Sequence, residues 1–377
     1  MITTYAKHFR IRKKFKGKRS KSMKFFKSVL TIHLFTISVA LFSLIYSCSD
    51  DIIVSSSDIG FDSARFNWEF DTLRGSDFSD LYTPDTNNIF IISNPGNSII
   101  RRRSADKKER YYVPFEEKVQ LMIGDGIDNS YVCGFTLNVI GVVTYKPFIM
   151  KWTGSGFDKL PTNLEITIGG FDIYAGLYIN PSEMWMACFG GRVLKYNGGD
   201  FEQSWIRDTT EPGNNLEVQS VFLDKQNIVK ILAYYREVWY AAKYYYIFEY
   251  KDNNWELVYK KPPDESYPSR SIMNNNVVAS GKAGVYSFDG QNFHKEVESY
   301  KLDLIQIVAG SSFSNFMITG ASQNPPYKIF HWNGKKWSQE VFGYFGGDYR
   351  LNRVNDNYYV HMATYNGDYQ MFIGRKK

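Results

Sequence analysis

Five stretches of this chain share one spacing: "FIMKWTGSGF" (148–157), "RVLKYNGGDF" (192–201), "YIFEYKDNNW" (246–255), "GVYSFDGQNF" (284–293) and "KIFHWNGKKW" (328–337). Each has two apolar residues, a variable residue, an aromatic, a tight turn and a second aromatic five positions after the first. The pairs are Trp152/Phe157, Tyr196/Phe201, Tyr250/Trp255, Phe288/Phe293 and Trp332/Trp337. Asn-Gly and Asp-Gly at the turns reach the positive φ values that a hairpin between twisted strands requires. The flanking aromatics then meet across the hairpin and pack on a neighbouring sheet. The first aromatics stand 44, 54, 38 and 44 residues apart, and a recurring unit of this size signals a propeller or a solenoid.

The residues before each hairpin recur as well. An apolar strand ending near a small residue precedes each one ("YVCGF", "MWMACFGG", "VWYAAK", "NVVASGKAG", "NFMITGAS"), and most of these follow a turn and an earlier apolar run such as "VQSVFL" or "LIQIVAG". Four short antiparallel strands per unit are the makeup of a propeller blade. Over residues 64–377 the unit resembles a degenerate form of bacterial tandem repeats reading Trp-Ala-Val-Gly, Gly-x-Ile and Trp-Asp-Gly-x-x-Trp. That resemblance implies a β-propeller and no particular activity.

Residues 87–115 supply a further unit in which a charged loop replaces the aromatic turn. The last unit, from "NYYVHMATYNGDYQMFIGRKK", lacks its outer strand. The spare segment "ARFNWEFDTL" (64–73) is expected beside "YQMFIG", which would close the ring and remove its open edges. The expected fold is all-β: a propeller of seven four-stranded blades closed by an N-terminal strand. Six or eight blades, or a pair of β-sandwiches, are the alternatives.

Charge divides the chain. Of 45 basic residues, 11 lie in residues 1–27, where there is no acid, so from Cys48 onward 34 basic residues face 39 acidic ones. The basic character belongs to the N-terminus, and a nucleic-acid partner for the body loses its support. Basic residues 7–27 precede the uncharged run 28–47, which ends at Cys48, the order of parts in a secretory signal. "LIYSC" resembles the lipobox of bacterial lipoproteins, which implies Cys48 as the acylated residue and a membrane partner through the lipid; an uncleaved membrane anchor is the alternative. The acidic pair in "CSDD" resembles an export tag to the outer surface and also suits a solvated tether. The expected organisation is a signal peptide at 1–47, with 1–22 read as an over-long gene start, then a lipidated tether at 48–63 and a propeller at 64–377. The expected location is the bacterial outer membrane, facing the cell exterior.

Catalytic signals are sparse. Cys133 and Cys188 sit in apolar runs and read as buried free thiols. No Cys/His metal spacing, nucleophile elbow or phosphate-binding loop occurs, so no cofactor or metal is expected. His331 occupies a permissive hairpin position and reads as exposed, while His361 reads as a core or channel imidazole. "SFDGQNF" resembles the Asp-box of sialidase-like propellers, one residue short, and implies a structural turn. "RRR" at 101–103 reads as part of a solvated loop.

Tyr145, Tyr244, Tyr245, Tyr267, Tyr365 and Arg207 are the candidate ligand contacts. They are expected in loops opposite the aromatic hairpins, where the connections between blades and between second and third strands gather at the channel mouth. Two functions stay open: a binding module for a protein or glycan, and a glycoside hydrolase or lyase with carboxylates at that mouth.

Overall fold

The computed structural model describes residues 64–377 apart from 74–76, 95–96, 115, 139–143, 168–171, 209–215, 239–240, 262–268, 274–275, 282–283, 299–303, 322–326, 343–344 and 366–367. Seven antiparallel sheets follow one another along the chain. Strand β1 (Phe66–Leu73) comes first but joins the last sheet. Blade 1 is β2 (Asp77–Asp85), β3 (Asn88–Asn94), β4 (Ser98–Ser104) and β5 (Lys107–Tyr112). Blade 2 is β6 (Glu117–Gly124), β7 (Ser130–Asn138), β8 (Thr144–Trp152) and an outer strand in two pieces, β9 (Phe157–Lys159) and β10 (Ile166–Thr167). Blade 3 is β11 (Ile173–Asn180), β12 (Glu183–Cys188), β13 (Arg192–Tyr196) and β14 (Phe201–Trp205). Blade 4 is β15 (Leu216–Leu223), β16 (Val229–Val238), β17 (Ala241–Lys251) and β18 (Asn254–Lys261). Blade 5 is β19 (Ser269–Met273), β20 (Asn276–Gly281), β21 (Gly284–Phe288) and β22 (Phe293–Glu298). Blade 6 is β23 (Leu304–Ser312), β24 (Asn315–Ala321), β25 (Tyr327–Trp332) and β26 (Trp337–Phe342). Blade 7 is β27 (Phe345–Asn355), β28 (Tyr358–Tyr365), β29 (Asp368–Lys376) and β1. The first strands of successive blades touch around a ring that closes from β27 to β2. The fold is a seven-bladed β-propeller.

Both faces of each blade are covered by neighbours, so the middle strands read as apolar runs rather than as alternation. In β12, Met184, Met186 and Cys188 join the core shared with blade 2, while Trp185 and Ala187 join the core shared with blade 4. Cys133 and Cys188 are buried free thiols in the first of these cores, and burial pushes both thiols far above their usual pKa.

Six of the seven innermost strands depart from regular register, five of them by one extra residue near the start: Ser79, Gln120, Tyr174, Gln219 and Gln306. The glutamines share a local text, "KVQLMI", "EVQSVF" and "LIQIVA". A bulge re-aims one side chain out of the sheet's alternation. Gln120 uses this to reach the next blade, accepting from Ile173 N–H at 2.8 Å and donating to Asp172 Oδ1 at 2.8 Å. Asp80, buried beside the bulge in β2, accepts from Met122 N–H at 2.8 Å in blade 2. These links tie one innermost strand to the next.

At the rim the five aromatic pairs sit opposite each other in register. Their ring centroids lie 5.0, 5.5, 5.0, 5.1 and 5.2 Å apart in chain order. Four of the turns are four-residue loops closed by the N–H of the first residue bonding to the carbonyl of the fourth, as in Asn197 to Asp200 and Asp289 to Asn292. The Asn197, Asp289 and Asn333 side chains accept the loop amides. Those amides and His294 hold the Asp289 carboxyl down to about 2, so the Asp-box-like turn is structural. The blade 4 turn instead has two residues, Asp252 and Asn253, both at positive φ.

Each hairpin docks on the blade before it. Trp152 and Phe157 pack on Phe90 and Tyr111 of blade 1, and Arg101 of blade 1 lies over Trp152 at 4.8 Å. Tyr250 and Trp255 pack on Trp185, and Trp255 Nε1 donates to Ser204 Oγ at 2.9 Å. Tyr259 of blade 4 receives Phe288 and Phe293, and Trp337 Nε1 donates to the Glu298 carbonyl. In blade 3 Tyr196 and Phe201 join the core shared with blade 2, and a carboxylate adds to this: Asp200 accepts the N–H groups of Asn163 and Leu164, in the segment that ends blade 2.

Blade 7 completes the ring with strands from the two extremes of the described chain. Strand β1 pairs with β29 from Phe66↔Lys376 to Leu73↔Tyr369, as the sequence predicts. Lys377 N–H bonds the Arg65 carbonyl, so this junction stands where a hairpin turn stands elsewhere. It docks on blade 6 in the same manner. The buried Glu340 carboxylate accepts from the Arg65 and Phe66 N–H groups at 3.0 Å, and Phe66 packs edge-on against His331.

The hairpin of blade 1 then docks on β1, and here the sequence expectation is corrected. The arginines at 101–103 lie on β4, and Arg101 and Arg102 are buried. Arg102 donates to Asp71 Oδ2 at 2.6 Å and to Glu69, and Lys108 donates to Asp71 Oδ1 at 2.5 Å. Ion pairs thus replace the aromatic contact of the other hairpins. His331 is also corrected: it is 2% exposed, with Nε2 2.7 Å from Asn315 Oδ1. The sequence pointed outward because its hairpin position is Lys or Glu elsewhere, but Phe66 covers it here.

Three measurements test this scheme. Trp152→Ala, at a side chain only 3% exposed, is expected to cost about 3–5 kcal/mol in denaturant unfolding; Trp337→Ala, half-buried, should cost less. Arg102→Met should destabilise the fold by about 1–3 kcal/mol, since the buried Asp71 carboxylate keeps only Lys108, and a cycle with Asp71→Leu should show coupling between the two sites. Burial, aided by Arg65 and Lys376, lowers the His331 pKa to about 4. The unfolded chain therefore takes up this proton near pH 6.5 and the folded chain does not. That contribution is complete above about pH 6.5 and falls by about 1.4 kcal/mol per pH unit down to about pH 4. His331→Gln should flatten that slope in pH-dependent melts.

Candidate functional site

The turns between blades and between second and third strands gather on the face opposite the aromatic hairpins. Of the residues expected there, Tyr267 lies outside the described residues, as does the side chain of Tyr365, the last residue of β28; the expected lipidation site, Cys48, also lies outside them. Tyr145, Tyr244 and Tyr245 lie in strands rather than loops, because β8 and β17 begin earlier than their sequence suggests. Tyr145 is half-buried against Phe135 at 5.2 Å. Tyr245 contacts Tyr234 at 6.4 Å on the side of β17 opposite Tyr244.

Arg207 and Tyr244 do come near each other. Asp208, next to Arg207, pairs with Lys260 at 2.6 Å, and the Lys260 ammonium lies 4.5 Å from the Tyr244 ring centroid. Arg207 itself is exposed, and its guanidinium lies 5.3 Å from the Trp205 ring centroid. Arg192, buried and opposite Trp205 in register, lies over the same ring at 4.8 Å. Two guanidinium groups on one indole make a local positive field that the aromatic face partly offsets.

Sequence reasoning missed the neighbouring residues of blade 3. The turn between β12 and β13, Phe189–Gly191, holds Gly190 and Gly191 at φ 70° and 78°. A side chain at Gly191 would meet the Ile206 carbonyl at 2.6 Å, and Ile206 N–H bonds the Gly191 carbonyl at 2.8 Å, so glycine is required there. The turn leaves Phe189 48% exposed. Phe189 N–H bonds the Asp172 carbonyl, which brings the turn against the start of β11, where Tyr174 is 39% exposed at its bulge. Tyr174, Phe189, Trp205 and Arg207 therefore form a strip across the end of blade 3. The signal in the sequence was "CFGG": two consecutive glycines after a large apolar residue present that residue outward.

Among the described residues the buried carboxylates are Asp71, Asp80, Glu117 and Glu340, and they belong to four different blades. Asp71 holds Arg102 and Lys108, and Asp80 holds a backbone N–H. Glu117 pairs with Lys159, and Glu340 holds two backbone N–H groups. Each is engaged in fixing strands to one another, and none is paired with a second carboxylate. No three His, Cys, Asp or Glu side chains among the described residues converge to hold a metal ion.

No protein-family model matches the sequence, and no curated protein matches it. Many solved structures share the architecture. One is YCF48 bound to a D1 peptide (TM-score 0.56, 11% identity, covering 84% of this chain and 97% of that one). Another is YCF48 from Cyanidioschyzon merolae (TM-score 0.55, 12% identity, 81% and 98%). A third is a catalytically inactive virginiamycin B lyase from Staphylococcus aureus with quinupristin (TM-score 0.57, 11% identity, 83% and 100%). Likeness at these identities establishes the propeller fold and does not extend to individual residues.

Proposed function

We propose that the protein is a membrane-anchored lipoprotein whose propeller is a non-catalytic binding module for a protein partner, carried by the outer membrane and displayed outward. The observation that carries the binding reading is the strip of exposed aromatics beside Arg207. Two of the six large hydrophobic side chains exposed among the described residues, Tyr174 and Phe189, lie in it. Exposed aromatics next to an arginine are the composition of protein-binding hot spots. A solved neighbour, YCF48, is bound to a peptide. Among the described residues, the engagement of each buried carboxylate in strand-to-strand contacts weighs against the hydrolase or lyase reading, although a lyase shares the fold.

The anchor reading rests on Cys48 at the end of the apolar run and agrees with the connectivity. The tether segment joins the ring at Ala64, on the hairpin face, since Phe66 pairs with Lys376 there. Two fatty chains or more hold such an anchor stably, where one does so only marginally.

The test is to express the whole chain in a Gram-negative host with a labelled fatty acid and a photo-crosslinker placed at Tyr174 in the strip or, as a control, at Arg110 on the outer strand of blade 1, and to identify what is captured. Label on the chain that is lost in Cys48→Ser, together with a saturable protein adduct, is the expected outcome. Label retained in Cys48→Ser would overturn the anchor. Turnover of a glycan or another small molecule without protein capture would overturn the binding module.

A further inference from the structure

We infer that the strip across the end of blade 3 binds an acidic peptide segment, one whose carboxylate meets Arg207 while a neighbouring apolar side chain lies on Phe189. This rests on the binding-module reading and adds the chemistry of the partner.

Asp172, at the inner end of the strip, accepts from Gln120, and Asp208, at its outer end, is only 4% exposed and is neutralised by Lys260. Arg207 forms no ion pair among the described residues, whereas Arg101, Arg102, Arg103 and Arg375 each face a carboxylate. Among the described residues the exposed Arg207 guanidinium thus has no carboxylate partner, and the Arg192 guanidinium lies near the same indole. Stacking on Trp205 restricts the guanidinium and leaves its N–H edge for a carboxylate, which it can grip with two parallel bonds.

Shape points the same way. The strip follows the ends of successive strands, from Tyr174 on β11 through the turn at Phe189 to Trp205 on β14 and Arg207 beyond it. An extended segment laid along it meets aromatic faces first and the cation last. Phe189 is held outward by two glycines at positive φ rather than by a mobile side chain, so little order is lost on binding. A neutral glycan would use the aromatic faces and leave the guanidinium without a counter-charge.

The experiment uses the full chain and fluorescent octapeptide pools in which Glu alternates with Phe or Leu, matched pools with Gln or Lys in place of Glu, and a neutral glucose oligosaccharide. The Glu pool is expected to bind and to weaken as salt is added. Arg207→Ala and Phe189→Ala should each weaken binding by about tenfold or more, with Arg110→Ala, on the outer strand of blade 1, unchanged. Arg207→Glu should transfer preference from the Glu pool to the Lys pool, a reversal that a folding defect would not produce. Equal binding of the Glu and Gln pools, preference for the oligosaccharide, or no binding of any pool would overturn the inference. Protein capture in cells that survives Arg207→Glu would overturn it too while leaving the binding module standing. Loss of capture by the unaltered chain marks failure of the binding module itself.

Discussion

At the rim, each blade docks a hairpin, or the junction that stands in for one, onto the outer end of the blade before it, and the ring is closed only when the last of these contacts is made. Five hairpins make the contact with paired aromatics. Blade 1 makes it with Arg102 and Lys108 on Asp71 and Glu69. Blade 7 makes it with two backbone N–H groups on Glu340 and with Phe66 against blade 6. The chemistry changes where the closing strand enters because that strand must be caught from both sides. Apolar packing is strong but unspecific in register. Charged side chains at fixed positions along β1 specify which residue lies opposite which, and a slip by one residue would turn Asp71 away from Arg102.

Much of this was legible in the sequence. The repeat length, the aromatic pairs and the turn glycines are local features, and local features survive in the text of a strand and its turn. The closing strand was legible by subtraction, since the last unit lacked an outer strand and 64–73 had no other partner. What was not legible involves contacts between distant residues. Three successive arginines read as solvated because the partner that buries Arg102, Asp71, lies about thirty positions away, while Glu109 nearby faces only Arg101 and Arg103. His331 read as exposed because the covering ring, Phe66, is contributed by the far end of the chain.

The candidate site shows the same division. Arg207 was legible as a charged residue in an irregular stretch. The tyrosines chosen with it were chosen for their neighbourhood of loops, but strands β8 and β17 extend through Tyr145, Tyr244 and Tyr245, and the rings of Tyr145 and Tyr244 pack at the junctions between blades. Phe189 and Tyr174 were hidden for the opposite reason. Both sit in runs that read as core, and only the double glycine and the bulge of β11, a departure of one residue from regular pairing, turn them outward.

The position of Glu340 also governs how the ring meets a mechanical load. A pull carried by the segment before Ala64 enters the propeller at Arg65 and acts first on the two N–H groups that this one carboxylate holds. While that grip lasts, the force runs along β1 and is shared by its whole ladder with β29. Once it fails, the ladder opens one pair at a time from Phe66↔Lys376 onward. The resistance of the ring to being drawn apart is thus concentrated where β1 begins, at the few bonds by which Glu340 of the neighbouring blade and Lys377 hold Ala64–Phe66.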